Sequence, residues 1–274
     1  MTASPVSSLN PYQFAFTPYG ASSNFIFGAG TAYAVTNVDG LVGLPDIRNQ
    51  DDDRGYTDGS YSGRDFYSGR TVTIDITILG NSTYSAQYYY NLLQTSLYPQ
   101  QIGTPSQLGV FQFELASSIG LKIMYGRVRK ITTSVDPEYT FGYITTSVEF
   151  FFPDPRYYDY PYETATATSS SPAALSNNGW AVSCPVITVN NTYGSFQITD
   201  SNGNYMSFNG TAGTTVVIDL LQKTITQGGN YNRNIFSTSN NGWLYIPPVT
   251  PSSAGFTFAI NAGTMSISYT DAYV

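Results

Sequence analysis

The chain of 274 residues contains no histidine. That absence removes Ser–His–Asp and Cys–His nucleophile pairs, histidine-ligated zinc and a histidine pH switch. The single cysteine, Cys184, can close no intrachain disulfide, so a stapled secreted fold and a thiolate metal cluster are excluded too. Beside Pro185 it reads as a small apolar packing residue. No stretch approaches the ~20 apolar residues of a membrane span. Met1–Pro11 has neither the basic residue nor the apolar run of a signal peptide. The expectation is a soluble chain made in a cytoplasm, with no cofactor and no metal.

Charge is scarce as well. The 24 tyrosines, 16 phenylalanines and two tryptophans outnumber the 18 acidic and 11 basic residues together. Beyond Glu163 only Asp200, Asp219, Asp271, Lys223 and Arg233 carry charge. A net charge of −7 without a basic cluster argues against a nucleic-acid binder, whose affinity comes mainly from neutralised phosphates. Tyrosine in such numbers points to buried rings with hydrogen-bonded hydroxyls and to extensive interface.

Strand signals dominate what is there. Val72, Ile74, Ile76 and Ile78 alternate with polar residues, as do Phe111, Phe113 and Leu115. Leu121, Ile123 and Tyr125 give another strand, and Ile144 to Phe152 a longer one. One helix is expected after Gly80, capped by Asn81 or Ser82. There Tyr84, Tyr88 and Leu92, with Tyr89, Leu93 and Leu97, repeat at four-residue spacing until Pro99. Beyond Pro172 strands recur at short, even intervals: Val186–Val189, Phe196–Thr199, Met206–Phe208, Val216–Leu220, Thr224–Thr226, Trp243–Ile246, Phe256–Ile260 and Met265–Tyr269. The fold class is therefore mainly β. A first block, 1–160, is a β-sheet domain with one packed helix and a long arm. A low-complexity linker follows, 161–174 with Thr164 to Pro172 at its centre, and then a β-sandwich or jelly roll, 175–274.

Between Pro45 and Arg70 the apolar pattern collapses into six aspartates, four arginines and glycines 55, 59, 63 and 69. A loop this long inside a compact domain tends to be functional. It reads either as a solvated loop or as an arm ordering against a neighbouring subunit, with Asp53, Arg54, Arg64 and Arg70 as contacts. Calcium is the third reading: Asn49, Asp51 and Asp53 have EF-hand-like spacing, but Arg54 and Ser60 stand where glycine and the bidentate acid belong. Both tryptophans close the same pentapeptide, Ser176–Trp180 and Ser239–Trp243, whose Asn–Gly step predicts a tight turn with a strand starting at each tryptophan. Trp180 and Trp243 are then either caps on the sandwich core or platforms for sugar rings. Asn81, Asn190 and Asn209 open N-x-Ser/Thr triplets, which matter only in a eukaryotic secretory route.

Several stretches together resemble the distal tail protein (Dit) of long-tailed, siphovirus-type bacteriophages. Gly40–Arg48 resembles that family's early glycine/proline turn. Asp53–Gly55, then Tyr67–Arg70 leading into Thr71–Ile78, resembles its loop-to-strand entry. Leu121–Lys130, with Tyr125, Arg127 and Arg129, is similar to its hydrophobic, Tyr, Arg-x-Arg strand. Phe152–Tyr157 resembles the Asp–Pro–Arg step of relatives from phages of actinobacteria, and Tyr269–Tyr273 the end of the appended galectin-like domain. Pro247 and Pro248 replace a glycine common in the family, and its glycine–histidine pair is absent.

The resemblance implies a split-barrel-like N-terminal domain, a galectin-like C-terminal sandwich and a virion location at the tail tip. It also implies a homo-hexameric ring joining the major tail tube protein to the tail-tip hub protein, with sandwiches that support receptor-binding proteins or touch host cell-wall glycan. Asp53, Arg54, Arg64, Arg70, Arg127 and Arg129 are then subunit-interface candidates, with no sequence-specific nucleic-acid contact. One rival is a carbohydrate-binding adhesin acting through Trp180 and Trp243. The other is a glycoside hydrolase using Asp136 with Glu138, or Glu114 with Glu149.

Overall fold

The structure, a computed structural model, describes residues 5–81, 85–99, 107–134, 142–191, 193–249 and 255–274. The chain divides into two compact units, 1–157 with Val274, and 158–273.

In the first unit β1 (Gln13–Thr17), β2 (Phe25–Gly28) and β3 (Tyr33–Asp39) precede an arm. The arm contains β4 (Ile47–Arg48), β5 (Asp52–Asp53), β6 (Ser60–Tyr61) and β7 (Phe66–Tyr67). Then follow β8 (Arg70–Leu79), α1 (Ala86–Ser96), β9 (Gly109–Glu114), β10 (Lys122–Ser134) and β11 (Tyr143–Phe152). An antiparallel path runs β2-β1-β9-β10-β11-β8-β3. Its ends approach each other, since Phe25 of β2 meets Tyr33 of β3 edge to face at 4.8 Å. The sheet curls into a split barrel around Phe14, Phe27, Phe111, Phe150, Ile74 and Ile76. Alternation explains this: Val72, Ile74, Ile76 and Ile78 point in, while Thr73, Asp75 and Thr77 are half-exposed on the outer face.

The helix closes the barrel against β8 and β11. Its cap is Ser85, whose side chain accepts the Tyr88 N–H at 3.3 Å, and not Asn81 or Ser82 as expected. Ser82 and Tyr84 lie outside the described residues. Of the two predicted rows only Tyr89, Leu93 and Leu97 faces the core, while Tyr88 and Leu92 are exposed.

Strand β12 (Tyr157–Asp159) crosses from the first unit into the second, which goes on with β13 (Glu163–Thr168), β14 (Ala173–Leu175), β15 (Val186–Asn191), β16 (Ser195–Asp200) and β17 (Tyr205–Asn209). The second unit continues through β18 (Thr214–Asp219), β19 (Thr224–Gln227), β20 (Asn230–Tyr231), β21 (Phe236–Ser239), β22 (Phe256–Ile260), β23 (Thr264–Tyr269) and β24 (Ala272–Tyr273). One sheet has the order β13-β23-β15-β18-β19-β20, the other β14-β22-β16-β17-β21. Inward residues of both sheets, Ile187, Val216 and Ile267 against Phe196, Phe208 and Phe258, share one core. This is the expected sandwich.

The expected linker is corrected. Glu163–Thr168 is an edge strand paired with β23 from Glu163↔Tyr269 to Thr168↔Thr264, and Ala167 is buried in the core. Trp243–Ile246 is not a strand: only Ile246 pairs, in a single bridge to Ser183.

Candidate functional site: a ribbon arm and an exposed tryptophan

The stretch from Pro45 to Arg70 is not structureless. It folds back on itself as a two-stranded ribbon, with Ile47 opposite Tyr67, Arg48 opposite Phe66, Asp52 opposite Tyr61 and Asp53 opposite Ser60. At the tip, the Arg54 N–H donates to the Gly59 carbonyl at 3.1 Å, and Tyr56 stands fully exposed. Further down, the Asp51 carboxylate accepts the Gly63 N–H at 2.8 Å, and a Cβ at Gly63 would overlap the Gln50 carbonyl. None of β4, β5, β6 or β7 contains a buried residue. An isolated two-stranded ribbon is marginally stable in water. This one also exposes Ile47, Tyr61, Phe66 and Tyr67, surface that a partner would cover.

The arm's arginines are held by its own rings. Arg48 and Arg64 lie over Phe66 at 5.5 and 5.3 Å, and Arg54 over Tyr61 at 5.0 Å. Among the described residues, none of the three meets a carboxylate of its own chain at ion-pair distance. Stacking through the ring face leaves the in-plane N–H groups of a guanidinium available for a planar carboxylate. Asp53 stands exposed beside them on β5.

Arg70 differs, and its place among the interface candidates is corrected. It is 3% exposed: Nε donates to Pro155 O at 2.9 Å and Nη1 to Gly40 O and Leu41 O at 3.0 and 2.9 Å. Its Nη2 is buried without a hydrogen-bond partner among the described residues. Burial lowers its pKa, with Tyr157 acting in the opposite direction. Arg70 ties the root of the arm to its own domain. Arg127 and Arg129 follow on β10, where Arg127 is half-buried opposite Phe151 and Arg129 is exposed, its guanidinium 3.4 Å from the Phe151 ring centre.

The twin pentapeptides come together unexpectedly. Ser183 and Ile246, each three residues beyond its tryptophan, form an antiparallel bridge with N···O distances of 2.9 and 2.8 Å. In the first copy, buried Asn177 donates through Nδ2 to Ala181 O and Ile246 O at 2.7 and 3.2 Å. Its Oδ1 accepts from Gly179 N and Ala272 N at 3.1 and 3.2 Å. A Cβ at Gly179 would overlap the Ala272 carbonyl. The turn is thereby pinned, and it presents Trp180, 64% exposed, edge-on to Tyr273 at 4.7 Å. In the second copy, Asn240 bonds Tyr205 N and Gly203 O. Trp243 there stacks parallel on Phe236 at 5.8 Å beneath Arg233 and packs on the core. The two tryptophans are not paired platforms.

The carboxylate pairs fare less well. Asp136 and Glu138 lie outside the described residues. Glu114 follows Phe113, which faces Lys122 of β10, whereas Glu149 faces Lys130, eight residues on. At about 3.3 Å per residue that is roughly 26 Å along the strand, far beyond the ~5–9.5 Å of a glycosidase pair. No cluster of three or more metal-ligating side chains exists among the described residues.

No protein-family model matches the chain, and no curated protein does. Solved structures do. The SPP1 Dit protein, described as a paradigm of the hub adsorption apparatus in phages infecting Gram-positive bacteria, superposes with a TM-score of 0.66. The match covers 95% of this chain and 99% of that one at 15% identity. Two structures of the phage p2 baseplate in its activated conformation, with strontium and with calcium, give TM-scores of 0.52 and 0.53 at 8% identity over 94% of this chain. The resemblance read from short motifs is borne out as a shared fold spanning nearly the whole chain.

Proposed function

We propose that this protein is a structural component of a phage tail tip, whose copies close into a homo-hexameric ring between the tail tube and the tail-tip hub. The fold shared with SPP1 Dit over 95% of the chain carries the reading. The arm supplies the subunit clasp: a heterologous ring contact needs a projection with its own donors, and the exposed Arg48, Arg54 and Arg64 would supply them to carboxylates on the next copy. Arg127 and Arg129 add basic groups on the outer face of β10. A net charge of −7 per copy suits a passage that DNA must cross without being retained. The second unit serves as the attachment point for tip or receptor-binding proteins.

Negative-stain imaging with light scattering on the full chain, alone and with its tail tube and hub proteins, tests this. Six-fold rings are expected, and Arg54→Glu or Arg64→Glu should weaken them. A chain that stays monomeric beside both neighbours refutes the ring, and rings unaffected by either charge reversal refute the clasp.

A further inference from the structure

The two copies of one pentapeptide act as an internal control for each other. Trp243 is spent on packing, whereas Trp180 is turned outward from a segment that its neighbours fix at four side-chain hydrogen bonds and one steric contact. A pinned turn presenting the largest apolar side chain to water is preorganised for a ligand.

The polar groups around it define the ligand's chemistry. Asp271 receives Asn178 through both oxygens, from N at 2.8 Å and Nδ2 at 3.0 Å, so the carboxylate is held in a fixed plane two residues from Tyr273. Each of its oxygens keeps a second lone pair for an incoming hydroxyl. The Tyr273 hydroxyl, in turn, donates to Asp159 at 3.2 Å. Asp271 is thus tied to Asn178, two residues before Trp180, and Asp159 to the hydroxyl of Tyr273, and the second unit's only cations are Lys223 and Arg233, the latter at Trp243. A phosphate-rich polymer would meet like charge there. A neutral polyol would meet acceptors for its hydroxyls and, in the indole, a negative π-face for its C–H groups.

We infer that Trp180, backed by Tyr273 and flanked by Asn178 and Asp271, is a stacking site for a neutral sugar ring. The inference goes beyond the ring assembly and does not depend on it.

The test titrates the full-length protein with chitotetraose, cellotetraose, lactose and polyglycerol phosphate, read by tryptophan emission. At least one neutral sugar should give a saturable blue shift. Trp180→Ala should abolish it and Trp180→Phe should weaken it, while Trp243→Phe leaves it in place. Asp271→Asn should weaken binding about tenfold, equivalent to ~1.4 kcal/mol. Matching thermal melts establish that the variants fold. No response to the three neutral sugars, a response surviving in Trp180→Ala, or a response to polyglycerol phosphate alone would each overturn the site. Ring formation read on the same samples keeps the two readings separate, since rings without a sugar response overturn only this one.

Discussion

Asn177 satisfies four backbone groups with one amide, and all of them are inaccessible to water once the turn has formed. Removing the side chain leaves buried donors and acceptors unpaired, which costs more than the lost bonds themselves. Asn177→Ala should therefore lower unfolding free energy by roughly 3–5 kcal/mol in urea melts. Its counterpart Asn240→Ala, in a more exposed turn, should lose about 1–2 kcal/mol. Arg70→Lys belongs with the first class, because an ammonium cannot span the Pro155, Gly40 and Leu41 carbonyls in one plane. Two tyrosines set the alkaline limit. Burial first, then Tyr89 and Tyr88, raise the Tyr33 pKa to about 12. Burial first, then the hydrogen bond and charge of Glu163, raise that of Tyr269 to about 12. A raised tyrosine pKa means the folded state holds its proton longer than the unfolded chain, so the stabilisation is full below pH 10 and disappears as pH climbs through 12. Each ring should contribute about 2–3 kcal/mol of that loss. Urea melts at pH 9 and pH 11.5 should show it, and Tyr33→Phe and Tyr269→Phe should each flatten the difference.

At the scale of elements, the arm has ladder bonds and cation–π stacks but no core, so its amides should exchange with solvent rapidly in the isolated subunit. Assembly into a ring should protect them, a change that hydrogen-exchange mass spectrometry reads directly on the 45–69 peptides. Replacing 49–65 with a short Gly-Ser turn should leave the thermal transition unchanged and abolish rings. The same lack of a core explains why the ribbon was illegible in the sequence: a strand is recognised by the face it buries, and these four bury none. Conversely β8, β9 and β11 were legible because each alternates apolar and polar residues over a core. Glu163–Thr168 read as a tether because, at a sheet edge, it needs only one deeply buried residue, Ala167, and spells the rest in threonine and alanine. The helix was visible through its period but not its facing, since Tyr88 and Leu92 are as apolar as the row that packs. Among the candidate residues, Arg54 and Arg64 stand exposed on the arm. Arg70 has the same side chain and only the structure reveals that it is internal.

For the whole molecule, charge acts on assembly in two opposing ways. Every copy carries −7, so the proposed ring would accumulate like charge over distances of tens of ångströms, while the proposed clasps would join arginine to carboxylate within a few. Salt separates the two. The Debye length falls from ~30 Å at 0.01 M to ~8 Å at 0.15 M, which removes most of the repulsion between neighbours and little of a contact pair. The population of rings should consequently rise as sodium chloride goes from about 0.01 to 0.15 M, and fall again only near 1 M, where the ~3 Å screening length reaches the clasp itself. Arg54→Glu would take each copy from −7 to −9 and remove one of the arm's arginines, so its rings should be scarcer than wild type at low salt and recover in part as salt rises. Mass photometry across that range measures both curves. A monotonic loss of rings from the lowest salt upward would mean that attraction between charged surfaces, not shape closed by a ribbon, holds the copies together.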